Sequence, residues 1–167
     1  MNPEVARPVM VDLFAGTLAA GVAFRERGWE YVPVEILRGQ DVREWKWRGG
    51  PVEFAWASPP CTWYTDIPWW GRRVPDPSLW WRAVELFIEM RPRYWCIENV
   101  RGAQRWWGPA DLKAGGHYFW SNCPANLPKV PGHKWRVPPG PGRKLIRSAI
   151  PYPISLAFAE AAGGRGA

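Results

Sequence analysis

Four short stretches of this chain combine residue types that can do chemistry. Asp12 to Gly16 closes an apolar run, Glu35 closes a second, Cys61 follows a third across Ser58-Pro59-Pro60, and Glu98 ends a fourth. Two prolines stiffen the loop before Cys61 and remove two backbone donors, so its thiol stands at a fixed height. Neighbouring positive charge would favour the thiolate there. Glu98, at the end of an apolar strand, invites partial burial, a raised pKa and general-acid work, with a satisfied turn carboxylate as the plainer alternative. Glu35 lies 19 residues after Gly16. An acid so placed can accept both hydroxyls of a ribose, against the simpler reading of a surface glutamate. The first turn is not GxGxxG and no GxxxxGK[ST] loop occurs. A nucleoside cofactor without a pyrophosphate therefore fits best, S-adenosylmethionine foremost. Cys96 sits inside an apolar strand and reads as core, and Cys123 receives no role.

These residues need elements to hold them. Residues 8–14 read as a buried strand entering a turn at Ala15-Gly16-Thr17, and residues 18–28 have helical spacing that stops at Gly28. Residues 31–36 and 52–57 give two more strands. Residues 62–75 look like loop. A helix fits residues 77–90, with Asp76 as its cap, Pro77 in its first turn, and Leu79, Ala83, Leu86, Phe87 and Met90 on one face. Residues 94–97 form a fourth strand, and a last helix fits residues 154–162. Strands alternating with helices predict an α/β fold, a doubly wound, mostly parallel sheet with right-handed crossovers and strand order near 3-2-1-4-5. In such sheets ligands bind beyond the carboxyl ends of the strands, where all four stretches fall.

At 167 residues there is room for one domain. No apolar run reaches the ~20 residues of a membrane span, and the first residues lack signal-peptide anatomy. The three cysteines form no CxxC pair, which argues against a disulfide framework or structural zinc. An intracellular, cytoplasmic protein without a metal is expected. The net charge of +7 is concentrated: residues 101–147 hold nine of the 22 Lys/Arg and one of the 15 acids, so the remainder is near neutral. Such a block suits a polyanion, nucleic acid first, with a solvated loop face as the alternative. Of the 14 tryptophans, six form the pairs 69–70, 80–81 and 106–107. Neighbouring indoles diverge on a helix or strand, so no pair can be wholly core. Exposed indoles beside Arg can stack on unpaired bases, although packing is the commoner use.

In order and spacing, these stretches resemble the cytosine carbon-5 DNA methyltransferases over residues 9–102. Asp12-Leu13-Phe14-Ala15-Gly16 looks like the family's DLFAG cofactor turn, Ser58-Pro59-Pro60-Cys61 matches its PPC loop, and Glu98-Asn99-Val100 its ENV motif. The resemblance implies a Rossmann-like methyltransferase fold that uses S-adenosylmethionine. Asp12, Phe14, Ala15, Gly16, Glu35, Asp41 and Pro59 would make the cofactor site, with Asp41 on the adenine amino group. Cys61 would be the nucleophile toward carbon 6 of a flipped-out cytosine, and Glu98 would hold or protonate ring nitrogen 3. Pro60, Asn99, Arg101, His117, Arg143 and Lys144 would face the DNA. The family's QxRxR-type segment has no matching string; the nearest counterpart, residues 116–122, offers His117. Its late Gly-Asn is also missing.

The implied organisation is one methyltransferase domain over residues 1–167, resembling the compact, virus-borne versions of the family. Residues 1–102 form the cofactor and catalytic core, 103–147 a reduced basic recognition segment, and 148–167 a helix returning to the core. The partner is DNA, double- or single-stranded. One small lobe wraps little DNA, which leaves room for a homodimer or a partner subunit. Three other readings stay open: a catalytically weak nucleic-acid-binding subunit, the same chemistry on RNA or a free nucleotide, and an exocyclic-amino methyltransferase. The last uses an S/D/N-PP loop followed by an aromatic residue, where this chain has Cys61.

Overall fold

The computed structural model describes residues 6–65, 74–130 and 149–163. Six strands form one sheet: β1 (Val9–Leu13), β2 (Glu30–Val34), β3 (Phe54–Ala57), β4 (Tyr94–Asn99), β5 (Leu112–Ala114) and β6 (His117–Ser121), in the order β2-β1-β3-β4-β6-β5. β2, β1, β3 and β4 run parallel, and β6 pairs antiparallel with both β4 and β5. Among the described residues four helices accompany them: α1 (Val22–Glu26), α2 (Ser78–Met90), α3 (Gln104–Trp107) and α4 (Tyr152–Gly163).

The central strands read as continuous apolar runs because both of their faces are covered. All four residues of β3 and the last four of β1 are buried. On one face Phe24 of α1 and Ile154, Phe158 and Ala159 of α4 pack on Met10, Phe54, Trp56 and Phe119. Phe158 meets Trp56 edge-on with ring centroids 5.1 Å apart, an arrangement worth about 0.5–1.5 kcal/mol beyond burial. On the other face Trp80, Ala83, Leu86 and Met90 of α2 cover Val11, Leu13, Ala55, Ala57 and Ile97.

Several boundaries differ from the sequence reading. The strand order does not begin 3-2-1: among the described residues nothing pairs outside β2, and the third strand instead adds on the far side of β1. Pro33 suits that edge position, since it has no N–H for a second neighbour. The helix expected over residues 18–28 shrinks to Val22–Glu26, because Phe14, Gly16 and Leu18 all take positive φ and keep the chain turning. In α2, Asp76 accepts a hydrogen bond from the Ser78 N–H at 2.9 Å, as a capping acid should. Residues 112–121, placed by charge in a recognition segment, supply two strands of the sheet. They are joined at Gly115-Gly116, where Gly115 has φ +59°. Of the tryptophan pairs, Trp80 is buried and Trp81 exposed, while Trp106 is exposed and Trp107 half-buried. The 69–70 pair lies outside the described residues.

Candidate active site

The sheet switches direction at β1, whose neighbours β2 and β3 leave on opposite sides. In open α/β sheets ligands bind beyond the carboxyl ends of the strands at such a switch in strand order. The turn leaving β1 is strained: Phe14 at φ +62° and Leu18 at +64° are non-glycine residues in the left-handed region, flanking Gly16 at +47°. Such conformations cost on the order of 1–3 kcal/mol each and persist where surrounding bonds fix them. Here the Ala15 N–H donates to the Val34 carbonyl at 3.2 Å and the Leu18 N–H to the Ala15 carbonyl at 2.7 Å. The Gly16 N–H donates to Glu35 Oε2 at 2.8 Å.

Glu35 therefore clamps the turn to the end of β2. Its other oxygen accepts from the Leu37 N–H at 3.2 Å, starting the short 3-10 turn Ile36–Arg38. Each carboxylate oxygen keeps acceptor capacity beyond these single bonds. Exposed Ile36 and Leu37 follow directly. Asp12 does not reach the surface: it is buried, and the Tyr31 hydroxyl donates to its Oδ2 at 2.7 Å. Burial pushes its carboxyl up to about 7 despite that hydrogen bond, with Glu35 adding to the rise. Asp41 is held by Arg43, whose side chain and backbone N–H both donate to it and lower its carboxyl to about 2.

The loop after β3 is tied on both sides. Its Ser58 N–H donates to the Leu13 carbonyl at 3.1 Å, at the foot of the strained turn, and Trp56 Nε1 donates to Ser58 Oγ at 2.9 Å. On the other side Asn99 Nδ2 donates to the Pro59 carbonyl at 3.0 Å. Pro59 is buried, Pro60 exposed, and Cys61 half-buried at the start of the 3-10 turn Cys61–Trp63. Asn99, assigned from the motif to the DNA, is 1% exposed and accepts from the Val100 N–H with its Oδ1. It thus ties the loop from beneath.

β3 and β4 pair in register through Ala57 and Ile97, so the Cys61 loop and Glu98 leave the sheet side by side. Glu98 stands one step inside the strand end expected for it, opposite Phe119 of β6. Its Oε1 lies 2.8 Å from Nδ1 of His117, and both side chains are largely covered, at 13% and 6% exposure. His117, which the resemblance sets toward the DNA, stands against Glu98. Cys96, two residues earlier, is buried core, and burial pushes its thiol up. Arg101 is exposed just past β4. Arg143 and Lys144, with Lys134, Arg136 and Arg147 of the basic block, lie outside the described residues. The sequence reading missed Tyr31 and the hairpin that delivers His117, although Gly115-Gly116 between two apolar runs is a hairpin signal.

Among the described residues no group of three or more His, Cys, Asp or Glu is placed to hold a metal ion. No helix among them is long and apolar enough to cross a membrane. No protein-family model matches the chain. No curated protein matches it either. Solved structures do, 63 chains in all. One is a prophage-encoded E. coli protein assigned provisionally as a DNA modification methyltransferase, with 22% identity and a TM-score of 0.42 over 57% of this chain and 33% of that one. The chain thus spans about a third of that protein's length.

Proposed function

We propose that this chain is a methyltransferase of Rossmann-like, doubly wound type that transfers a methyl group from S-adenosylmethionine to carbon 5 of cytosine in DNA. One observation carries the reading: the Asn99–Pro59 bond ties the Cys61 loop to the strand bearing Glu98, so a thiol and a carboxyl flank one end of the sheet. The strained turn and Glu35 fit an adenosine. Gly16 takes a left-handed φ of +47°, which glycine adopts most readily, and both Glu35 oxygens can accept ribose hydroxyls. Asp41, once it shares its carboxylate between Arg43 and a ligand, would take the adenine amino group. When bound, S-adenosylmethionine supplies an electrophilic methyl group.

The chain's own residues prepare the acceptor. With cytosine flipped out of the helix, Cys61 Sγ adds to carbon 6 as a thiolate while Glu98 gives a proton to ring nitrogen 3. The ring's electron pair then resides at carbon 5, which becomes nucleophilic. After methylation, a water takes the carbon-5 proton as the Cys61 thiolate is expelled, and the nitrogen-3 proton returns to Glu98. Pro60 and Arg101 border the base and its phosphates, and the basic segment with Arg143 and Lys144 holds the strand electrostatically.

The test is transfer of labelled methyl groups to double-stranded DNA, single-stranded DNA, tRNA and free cytidine nucleotide, followed by nucleoside analysis. Labelled 5-methylcytosine, abolished by Cys61→Ser, is expected from DNA. Label on an exocyclic nitrogen would remove the Cys61 mechanism. Label only in tRNA or nucleotide would keep the chemistry and change the substrate. DNA binding with no transfer to any acceptor would make the chain an accessory subunit.

A further inference from the structure

The contact between His117 and Glu98 joins two side chains 19 residues apart that the β4–β6 pairing brings to one face of the sheet. Both lie on the side that carries Cys96 and Phe119, and the imidazole lies roughly parallel to the Phe119 ring at 6.3 Å between centroids. The imidazole is largely buried, at 6% exposure. Its Nδ1 is 2.8 Å from one oxygen of Glu98, Oε1. An ionised carboxylate only accepts hydrogen bonds, so in that state the proton of the pair is on Nδ1.

This has a consequence for a carboxyl that must give a proton. A protonated glutamic acid can carry its hydrogen on either oxygen, and only one of the two can face a bound base. If Oε1 is occupied as the acceptor of an Nδ1–H bond, the acid hydrogen goes to Oε2. We infer that His117 is the positioning residue of Glu98: its Nδ1–H holds Oε1 as an acceptor and so directs the acid proton to Oε2, the oxygen left for ring nitrogen 3. The proton balance is closed. Glu98 gives the Oε2 proton to nitrogen 3 as the Cys61 thiolate adds to carbon 6, and takes it back when the thiolate leaves; His117 keeps its own proton throughout. The inference rests on the cytosine reading and adds the residue that makes Glu98 a directed acid.

The test compares His117→Phe, which keeps the flat ring against Phe119 and removes the donor, with His117→Gln, which keeps a donor. Each is made in the natural background and in Glu98→Gln. Two readouts are used: kcat and KM for methylation, and exchange of the carbon-5 hydrogen of cytosine with solvent, which reports thiolate addition before methyl transfer. His117→Phe is expected to lower kcat and the exchange rate together by about 100-fold, within the span of general-acid effects, with both KM values little changed. His117→Gln should recover about tenfold of that loss. In the Glu98→Gln background, His117→Phe should change nothing further, a coupling that a purely structural role would not give. A natural kcat in His117→Phe overturns the assignment alone. So does an undiminished effect of His117→Phe in the Glu98→Gln background. Absence of both 5-methylcytosine and exchange from the natural chain overturns the cytosine reading and this inference with it. Should His117→Phe fail to fold, the His117→Gln cycle decides by the same coupling.

Discussion

The Tyr31 hydroxyl donates a 2.7 Å hydrogen bond to Asp12 Oδ2 across the β1–β2 pair, beneath the strained turn that Gly16 closes. Asp12 is 1% exposed, so this one phenol supplies much of what water would otherwise give the carboxylate. The turn, the edge strand and a buried titratable group are therefore coupled, and the coupling makes the turn's stability depend on pH.

The carboxyl of Asp12 is raised by burial from 3.8 to about 7 in the folded chain. A folded state that binds the proton more tightly than the unfolded state loses stability as pH rises. The stabilisation is complete below about 4, falls between about 4 and 7, and levels off above 7. Asp12→Asn keeps an acceptor for Tyr31 and removes the ionisation. Thermal unfolding between pH 4 and 8 should show the natural chain losing stability relative to Asp12→Asn across that window. Parallel curves would mean that Asp12 is not raised.

Gly21 makes this pairing possible. A Cβ on Gly21 would run into the ring of Tyr31, and the backbone there has an ordinary helical φ of −86°, so the requirement is space alone. Gly21→Ala should displace the ring, weaken the hydrogen bond to Asp12 and cost about 1–3 kcal/mol in denaturant unfolding, the usual range for overpacking. The double change Gly21→Ala with Tyr31→Ala should recover part of that loss.

How much of this was legible beforehand depends on how local each feature is. Asp12 to Gly16, Glu35, Cys61 and Glu98 stood out because each interrupts an apolar run, and strand ends are where such interruptions occur. Elements with dense local signals, such as the 13-residue α2 with its Asp76 cap, also read closely. The edge position of β2 did not, since strand order is set by pairings between distant segments; Pro33 was the one local hint. The β5–β6 hairpin was hidden by reading residues 103–147 for charge instead of alternation. The resemblance sets Asn99 and His117 toward the DNA, whereas Asn99 bonds the Pro59 carbonyl and His117 meets Glu98. Whether a side chain reaches a ligand or a loop carbonyl is decided by contacts 40 and 19 residues away in sequence.

Asn99 offers the sharpest separation of loop positioning from chemistry. Its amide bonds the Pro59 carbonyl and the Val100 N–H from a site with 1% exposure, so truncation strands a buried carbonyl and a half-buried N–H. Asn99→Ala should cost about 1–3 kcal/mol of stability per stranded group. Because it releases the loop that carries Cys61, methylation kcat should fall even at temperatures where the variant is fully folded. Asn99→Asp keeps the acceptor for Val100 but sets a buried carboxyl oxygen against the Pro59 carbonyl, so it should lose activity and lose stability increasingly as pH rises. Circular dichroism melts alongside methyl-transfer rates would separate the two effects, and equal activity in both variants and the natural chain would remove the loop-positioning role.

At Glu35 the balance of donors and acceptors decides what a substitution does. Two backbone donors, the N–H groups of Gly16 and Leu37, each point at a different oxygen of this carboxylate. A glutamine in its place has one oxygen and one –NH2, so one of the two N–H groups must face a donor and one acceptor for a ribose hydroxyl is gone. Glu35→Gln should therefore do more harm than loss of charge alone suggests. It unclamps the Phe14–Leu18 turn, whose left-handed residues then relax, and weakens binding of S-adenosylmethionine by about 10- to 100-fold, the scale of one charge-assisted hydrogen bond at about 1.5–3 kcal/mol. Titration calorimetry with S-adenosylmethionine checks this directly. Glu35→Asp, which keeps both oxygens on a shorter stem, should bind better than Glu35→Gln if acceptor count governs the site. Binding of equal strength in Glu35→Gln and the natural chain would show that this carboxylate shapes the turn without holding the cofactor.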